Sequence, residues 1–529
     1  MKELLCTNKI KIVKFIGAIV FLVIIIHIFL ALTYLFRGNQ YNYYDRISVV
    51  GIKEEKENSL DVIYIGGSAA FAYWEPLHAY SDCGFTSYDL AANSIQAENI
   101  LAYVKYAQQY QNPDLYVIGV RAYQYYDEAG SEVGLRVTSD ALDMGRNRFE
   151  LINTFLNNRS LETDEVALYF DIAKYHTNYD ALQNATAWQL IDNSMRCDYK
   201  GGQIQTAWCY LEEPENVKTN KRTELLENDE KTLIELLDYL KENDLNALFV
   251  VCPYSITAED YAKYNTMSDI VSGYGYDFLN TNDYYDEMGI DFSTDFYNIN
   301  HVNSLGARKY TDFLGNYLSQ NYNLPDHRGD AAYSEWQTLA ENYALTADSS
   351  QVAVQNLIEN ANGAFEIAET IKSEDDFVVW AALANDERFT VITTGHCGFS
   401  TIDLEPQYTS LLHQLNLYDI YGVENYIKIV RNAEVIGSNA DGNSSVTVNI
   451  GHNQQTVPCT VDNNNSIAAI YIDGINYSCG NSSNINMVVF DNYHRTVVDA
   501  VYLYVEDGII KIGRNEQKTD YFSVCWRKC

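Results

Sequence analysis

Positive charge is scarce in this sequence. Lys and Arg number 36 against 72 Asp and Glu, which leaves a formal net charge of −36. So acidic a surface argues against nucleic acid or anionic lipid as a partner. Metal-type cysteine spacing is missing as well. The chain has 10 cysteines, but pairs such as Cys197/Cys209, Cys459/Cys479 and Cys525/Cys529 do not match zinc or redox motifs. Cys6 precedes the first apolar run and leaves an odd number behind it. One or two disulfides are compatible with that set, and buried free thiols are the favoured reading. Charge of either sign is absent from residues 15–36, "FIGAIVFLVIIIHIFLALTYLF". As a helix this run is about 33 Å long, enough to cross a bilayer core. Lys2, Lys9, Lys11 and Lys14 precede it, which predicts a cytoplasmic N-terminus and an extracytoplasmic remainder. A cleaved signal peptide is the alternative, but no small-x-small cleavage site stands before Arg37. His27, mid-span, is assigned no role.

What is plentiful is tyrosine, 44 residues, whose hydroxyls and aromatic faces fit an ectodomain that meets neutral or cationic glycans. From Asp61 the pattern is strand then helix, repeated. Strands are expected at 61–68, 87–94, 114–121, 247–254 and 276–281, with helices at 97–110, 229–246, 258–271 and 305–322. Strands separated by helices of this length predict an α/β domain with a parallel sheet covered on both faces. Residues 122–227 interrupt the repeat; they form either a lid or substrate wall over the site face, or a plain helical excursion. Residues 331–371 read as helix. From Phe377 the chain turns β-rich, with runs such as "FVVWAAL", "YIKIV", "SVTVNI" and "VVDAVYLYV" read as strands.

The chemistry concentrates in two stretches. "DVIYIGGSAA" (61–70) ends an apolar strand on two glycines and Ser68. That serine is either a helix N-cap or a nucleophile at the carboxyl end of a parallel strand, where α/β sheets keep their sites. "DFYNINHVNSLGARKYTDFL" (295–314) puts His301 in a loop before the last helix of the repeat. A nucleophilic serine needs a base, and the base needs an orienting acceptor on its other ring nitrogen.

Together these stretches resemble the SGNH/GDSL hydrolase superfamily, and more closely its DltD-like and alginate-acetylation-like membrane-anchored members, whose end motif reads D-x-x-H-x-N-x-x-G-A. The resemblance covers roughly residues 61–322. It implies a flavodoxin-like three-layer fold, with Ser68 as nucleophile and His301 as base. The Ser68 amide would face the oxyanion, and Asn93 or Arg121 would add a further oxyanion donor. The motif's acid position holds Asn298 here. An amide orients an imidazole but brings no negative charge, so Asp291 and Asp295 are alternative sources of charge. No metal or organic cofactor is implied.

Residues 465–505, "NSIAAIYIDGINYSCGNSSNINMVVFDNYHRTVVDAVYLYV", resemble the ILEI-type (interleukin-like EMT inducer) domain, with Ser482 and Ser483 replacing its usual glycine region. That resemblance spans about 374–513 and implies a β-sandwich-like module with lectin-like relatives. The expected organisation is a cytoplasmic 1–14, a transmembrane 15–36, an SGNH-like domain at 60–325 with its insertion at 122–227, a helical connector at 326–373, an ILEI-like domain at 374–513 and a tail at 514–529. The expected function is ester hydrolysis or O-acyl transfer on a cell-surface glycan or polymer, beside a membrane-bound O-acyltransferase as in DltD-like relatives. The alternative is a non-catalytic surface glycan-binding protein on a degenerate hydrolase scaffold. A secreted signalling module would require release from the membrane.

Overall fold

The computed structural model describes residues 2–37, 43–124, 129–179, 196–396, 399, 406–439, 444–452, 455–464, 467–479, 484–507 and 509–514. Ser482, Ser483 and the 515–529 tail lie outside the described residues, as do Cys397, Cys525 and Cys529. The chain divides into two compact units, Met1–Gln351 and Val352–Cys529.

The first unit is built on five short strands: β1 (Val62–Gly66), β2 (Ser87–Ala91), β3 (Leu115–Gly119), β4 (Ala247–Val251) and β5 (Asp277–Asn280). Every pairing among them is parallel, and the order is β2-β1-β3-β4-β5. All residues of β1, β2 and β4 are buried, which requires cover on both sheet faces. The chain runs from β1 out to β2, then returns to the other side of β1 for β3. The loops that leave β1 and β3 therefore diverge, and a crevice opens between them at the carboxyl edge. Ser68 and Arg121 sit just past those two strand ends.

Glycine lets β1 stop there. A Cβ on Gly66 would lie 3.0 Å from the Ala70 Cβ and 3.7 Å from the Gly119 Cα. The chain then enters a short helix, Ser68–Phe71. Two small strands, β6 (Phe296–Asn298) and β7 (His301–Val302), pair antiparallel and lead into the helix Ser304–Asn321. Asn303 caps that helix, accepting from the Leu305 and Gly306 amides, and its own amide donates to the carbonyls of Thr294 and Phe296. Gly306 is required by space, since a Cβ there would meet the Asp295 carbonyl oxygen at 2.6 Å.

Residues 132–175 of the insertion form four helices: Glu132–Ser139, Arg146–Asn158, Glu165–Tyr169 and Asp171–Tyr175. They enclose a buried ionic cluster in which Arg37 and Arg148 both pair with Asp171. Buried charges of this kind persist only when paired. Among the described residues one helix, near the N-terminus, is long and apolar enough to cross a membrane, Ile12–Arg37.

A 40-residue helix, Ser334–Ser373, runs through the boundary between the units. Trp336, Ala340, Tyr343 and Ala347 give it a core face at the 3, 4 and 7 spacing of a helix in the first unit. Ala364, Ala368 and Ile371 do the same in the second.

The second unit holds a six-stranded antiparallel sheet and a four-stranded one. Ile392, Ile429, Val488 and Phe490 from the first meet Ile450, Cys459, Val461 and Ile470 from the second in one buried cluster. The "FVVWAAL" run corrects the sequence reading: it is a helix, Phe377–Ala384. Its β-branched pair invites a strand assignment, but Asp376 caps the Val378 and Val379 amides. Phe377, Trp380, Ala381 and Ala384 then bury one helical face.

Among the described cysteines, Cys83, Cys197, Cys252 and Cys459 are free thiols, and Cys209 is disulfide-bonded.

Asp89 on β2 is fully buried, and neither carboxylate oxygen accepts a hydrogen bond among the described residues. Burial alone pushes its pKa well above the usual carboxylate value, so the folded chain keeps a proton that the unfolded chain releases. Stability should therefore fall as pH rises above about 3.8, by up to about 1.4 kcal/mol per pH unit. Asp89→Asn should flatten that slope in denaturant titrations at several pH values, and an unchanged slope would contradict the assignment.

Candidate active site

The structure brings Ser68, His301 and Asn298 into one hydrogen-bonded line. Ser68 Oγ lies 2.7 Å from His301 Nε2, and His301 Nδ1 lies 3.0 Å from Asn298 Oδ1. The hydrogen positions follow from the next contact. The Asn300 backbone N–H donates to Asn298 Oδ1 at 2.9 Å, so the atom facing His301 is the amide oxygen. An oxygen accepts, so His301 Nδ1 carries the hydrogen. Nε2 is then left with its lone pair directed at the Ser68 hydroxyl, which is the tautomer a general base needs.

Arg121 fixes the turn that carries these groups. Its Nη1 donates to the Asn300 carbonyl at 2.8 Å and its Nη2 to Asn300 Oδ1 at 2.9 Å. The guanidinium lies 4.2 Å above the Tyr254 ring, a cation–π contact that suits a planar cation in a buried place. The Tyr73 hydroxyl also donates to the Asn300 carbonyl, at 2.9 Å. The Tyr297 ring stacks on His301 with centroids 5.4 Å apart.

Burial, followed by the positive charge of Arg121, pushes the His301 pKa down to about 3. The imidazole is therefore neutral throughout the physiological range. The residue that orients the ring is an amide and adds no negative charge.

A crevice beside Ser68 is lined by Gly67, Ser94, Ile95, Gly119 and Arg121. Of the oxyanion candidates, Ser68 and Arg121 border it. In the loop after β2 it is Ser94 and Ile95 that line the crevice, with Asn93 half-buried next to them. Ser68 is the first residue of the helix Ser68–Phe71, and the first amides of a helix have no intrahelical acceptor.

Asp291 and Asp295 are engaged elsewhere. Asp291 Oδ1 accepts from the Ser293 amide and hydroxyl. Asp295 Oδ2 accepts from Lys309 Nζ at 2.7 Å and from the Asp291 amide at 2.8 Å. These two carboxylates hold the turn that precedes β6, and the hydrogen-bond acceptor of His301 Nδ1 is Asn298.

The last stretch of the insertion passes close to this site. The Gln203 amide donates to the Phe71 carbonyl, the Cys209 amide to the Phe296 carbonyl, and the Ser304 amide to the Gln205 carbonyl. Residues 203–209 thus run along the elements that flank both Ser68 and His301. Sequence reading did not single out Asn300, Tyr73 or Tyr254. Asn300 stands between the two motif residues in "NINH" and was open to notice; the tyrosines carry no local signal among 44 of their kind.

Asn298→Asp would add the missing negative charge next to His301 and raise its pKa from about 3 toward or above the ordinary value. NMR titration of the His301 ring should show this upward move, and an unmoved or lowered midpoint would contradict the geometry. No protein-family model matches the chain, and no curated protein matches it at a significant level, so the chemistry of this site is read from its geometry.

Proposed function

We propose that this protein is a membrane-anchored serine esterase or O-acyltransferase of the SGNH type, acting outside the cytoplasm on an acylated cell-surface glycan or polymer. The observation that supports it most is the Ser68–His301–Asn298 hydrogen-bonded line at the carboxyl edge of a parallel sheet. The strand order β2-β1-β3-β4-β5 fits the flavodoxin-like class to which that superfamily belongs.

In this reading Ser68 Oγ forms a bond to an acyl carbonyl carbon while its proton passes to His301 Nε2. The carbonyl oxygen becomes an oxyanion held by the Ser68 amide. When the intermediate collapses, the Nε2 proton goes to the departing alkoxide and the acyl group remains on Ser68. Water or an acceptor hydroxyl then attacks the acyl carbon as His301 takes its proton; collapse breaks the Ser68 Oγ–acyl bond, the Nε2 proton returns to Ser68 Oγ, and the acid or new ester leaves. Every step uses side chains of this chain and needs no cofactor.

The N-terminal helix serves as the anchor, with its lysines on the cytoplasmic side. The C-terminal β unit is read as an ILEI-like accessory domain that engages carbohydrate. A membrane-bound O-acyltransferase is the partner that the DltD-like resemblance implies.

A second reading has its own observation in favour. A base with a pKa of about 3 is a poor proton acceptor, and an amide in place of the acid suits a hydrolase scaffold retained for glycan binding.

The two readings separate on Ser68. A fluorophosphonate probe should label the full chain, and Ser68→Ala should abolish both labelling and turnover of simple acyl esters. Asn298→Asp should raise turnover, by as much as about four orders of magnitude where nothing else compensates. If wild type, Asn298→Asp and Ser68→Ala all match the blank across several acyl esters, the scaffold reading replaces the enzyme.

A further inference from the structure

The N-terminal helix is not bare along its whole length. Side chains from Ile12 to Ile28 are exposed, whereas from Phe29 onward most are half-buried or buried. The covering comes from the insertion. The Phe29 and Phe170 rings are 6.2 Å apart, and those of Phe36 and Tyr179 are 6.4 Å apart. Asn178 Nδ2 donates to the Phe36 carbonyl at 2.9 Å.

That cover begins too early for a helix whose apolar part is wholly in lipid. Lys14 is the last charge before the span. From Phe15 to Ile28 the helix rises about 21 Å, while a bilayer hydrocarbon core is about 30 Å thick. The missing length of about 9 Å corresponds to roughly six further residues, 29–34. Tilting the helix enlarges the shortfall, because a tilted rod spans less along the bilayer normal. The segment that the insertion covers is therefore the segment that must complete the span.

Two other features fit the same placement. Phe170 and Tyr179 stay 43% and 64% exposed although they flank the anchor. Arg37, the first charge after the span, is only 2% exposed and paired with Asp171 inside the insertion. A charge at that depth is tolerated when protein shields it.

We propose that the insertion is a membrane-interfacial element. Its elbow at Phe170, between the helices Glu165–Tyr169 and Asp171–Tyr175, enters the outer leaflet and touches the acyl chains of neutral lipids, and Tyr179 lies at the headgroup boundary. Aromatic rings at that level have the amphipathic character such a boundary favours. The net charge of −36 makes zwitterionic lipid, not anionic lipid, the fitting surface. The catalytic unit is then held against the bilayer by packing as well as by its tether. Arg159 of the insertion pairs with Glu98 at 2.8 Å on the helix that follows β2, and Asn99 of that helix donates to the Gly134 carbonyl.

The inference rests on reading Ile12–Arg37 as a membrane span, and the test separates the two. The photoreactive residue benzoylphenylalanine replaces Phe21, Phe170 or Tyr284 one at a time in the full chain. Each variant is reconstituted in nanodiscs of phosphatidylcholine with mass-tagged acyl chains and irradiated. Phe21 lies in the bare part of the helix, Phe170 in the elbow, and Tyr284 on the sheet domain. Lipid adducts at Phe21 and Phe170 but none at Tyr284 are expected. Adducts at Phe21 without any at Phe170 would overturn the elbow's placement and leave the anchor standing. Absence of adducts at Phe21 would overturn the anchor, and the elbow's placement with it.

Discussion

The site depends on one clamp, the guanidinium of Arg121 gripping Asn300. Each Nη atom donates to that residue, one to its carbonyl and one to its side chain. The clamp joins the carboxyl end of β3 to the turn between β6 and β7, and that turn delivers Asn298 and His301. Ser68 arrives from β1, the neighbouring strand. Three segments far apart in sequence thus meet because β1 and β3 are adjacent and their loops diverge. The same cation carries a chemical consequence. It stands near a buried imidazole, and burial first, then this positive charge, lowers the His301 pKa and keeps the ring neutral. A neutral, oriented imidazole is ready to accept a proton, but it holds the proton weakly once it has it. The clamp thereby sets both the readiness of the base and its limit.

Much of this was legible in the residues. The strand ending at Gly66-Gly67-Ser68 needed only apolar periodicity and the space argument that glycine answers. The 298–307 motif carried His301, its orienting neighbour, the capping Asn303 and the close-packed Gly306. The acid was where legibility ended. Asp291 and Asp295 stand at plausible sequence distances, and only the folded contacts show them tied to Ser293 and Lys309. Arg121 was legible as a residue of the site, but its grip on Asn300 was not, because sequence gives a residue's neighbourhood and not its hydrogen-bond acceptors. "FVVWAAL" failed for a related reason: β-branched residues weigh toward strand, and the capping aspartate before them outweighs that preference.

The insertion joins the sheet domain to the apolar N-terminal helix. Its first part encloses the end of the N-terminal helix around Asp171, and its last part, at 203–209, lies along the elements that flank Ser68. One excursion from the α/β repeat therefore touches both the apolar N-terminal helix and the segments that carry Ser68 and His301. Under the proposed function, such a connection would keep the crevice at a fixed height above the membrane.

The central claim is that Ser68 takes up an acyl group with His301 as its base. The most direct measurement is acid-quenched mass spectrometry of the full chain after exposure to an activated acetyl ester. Because the weak base slows deacylation as well as acylation, the acyl group should persist long enough to be caught. The account predicts the mass of one acetyl group on the peptide that contains Ser68, and its absence when Ser68 is alanine. An unmodified Ser68 peptide from folded wild type and from folded Asn298→Asp alike would contradict it.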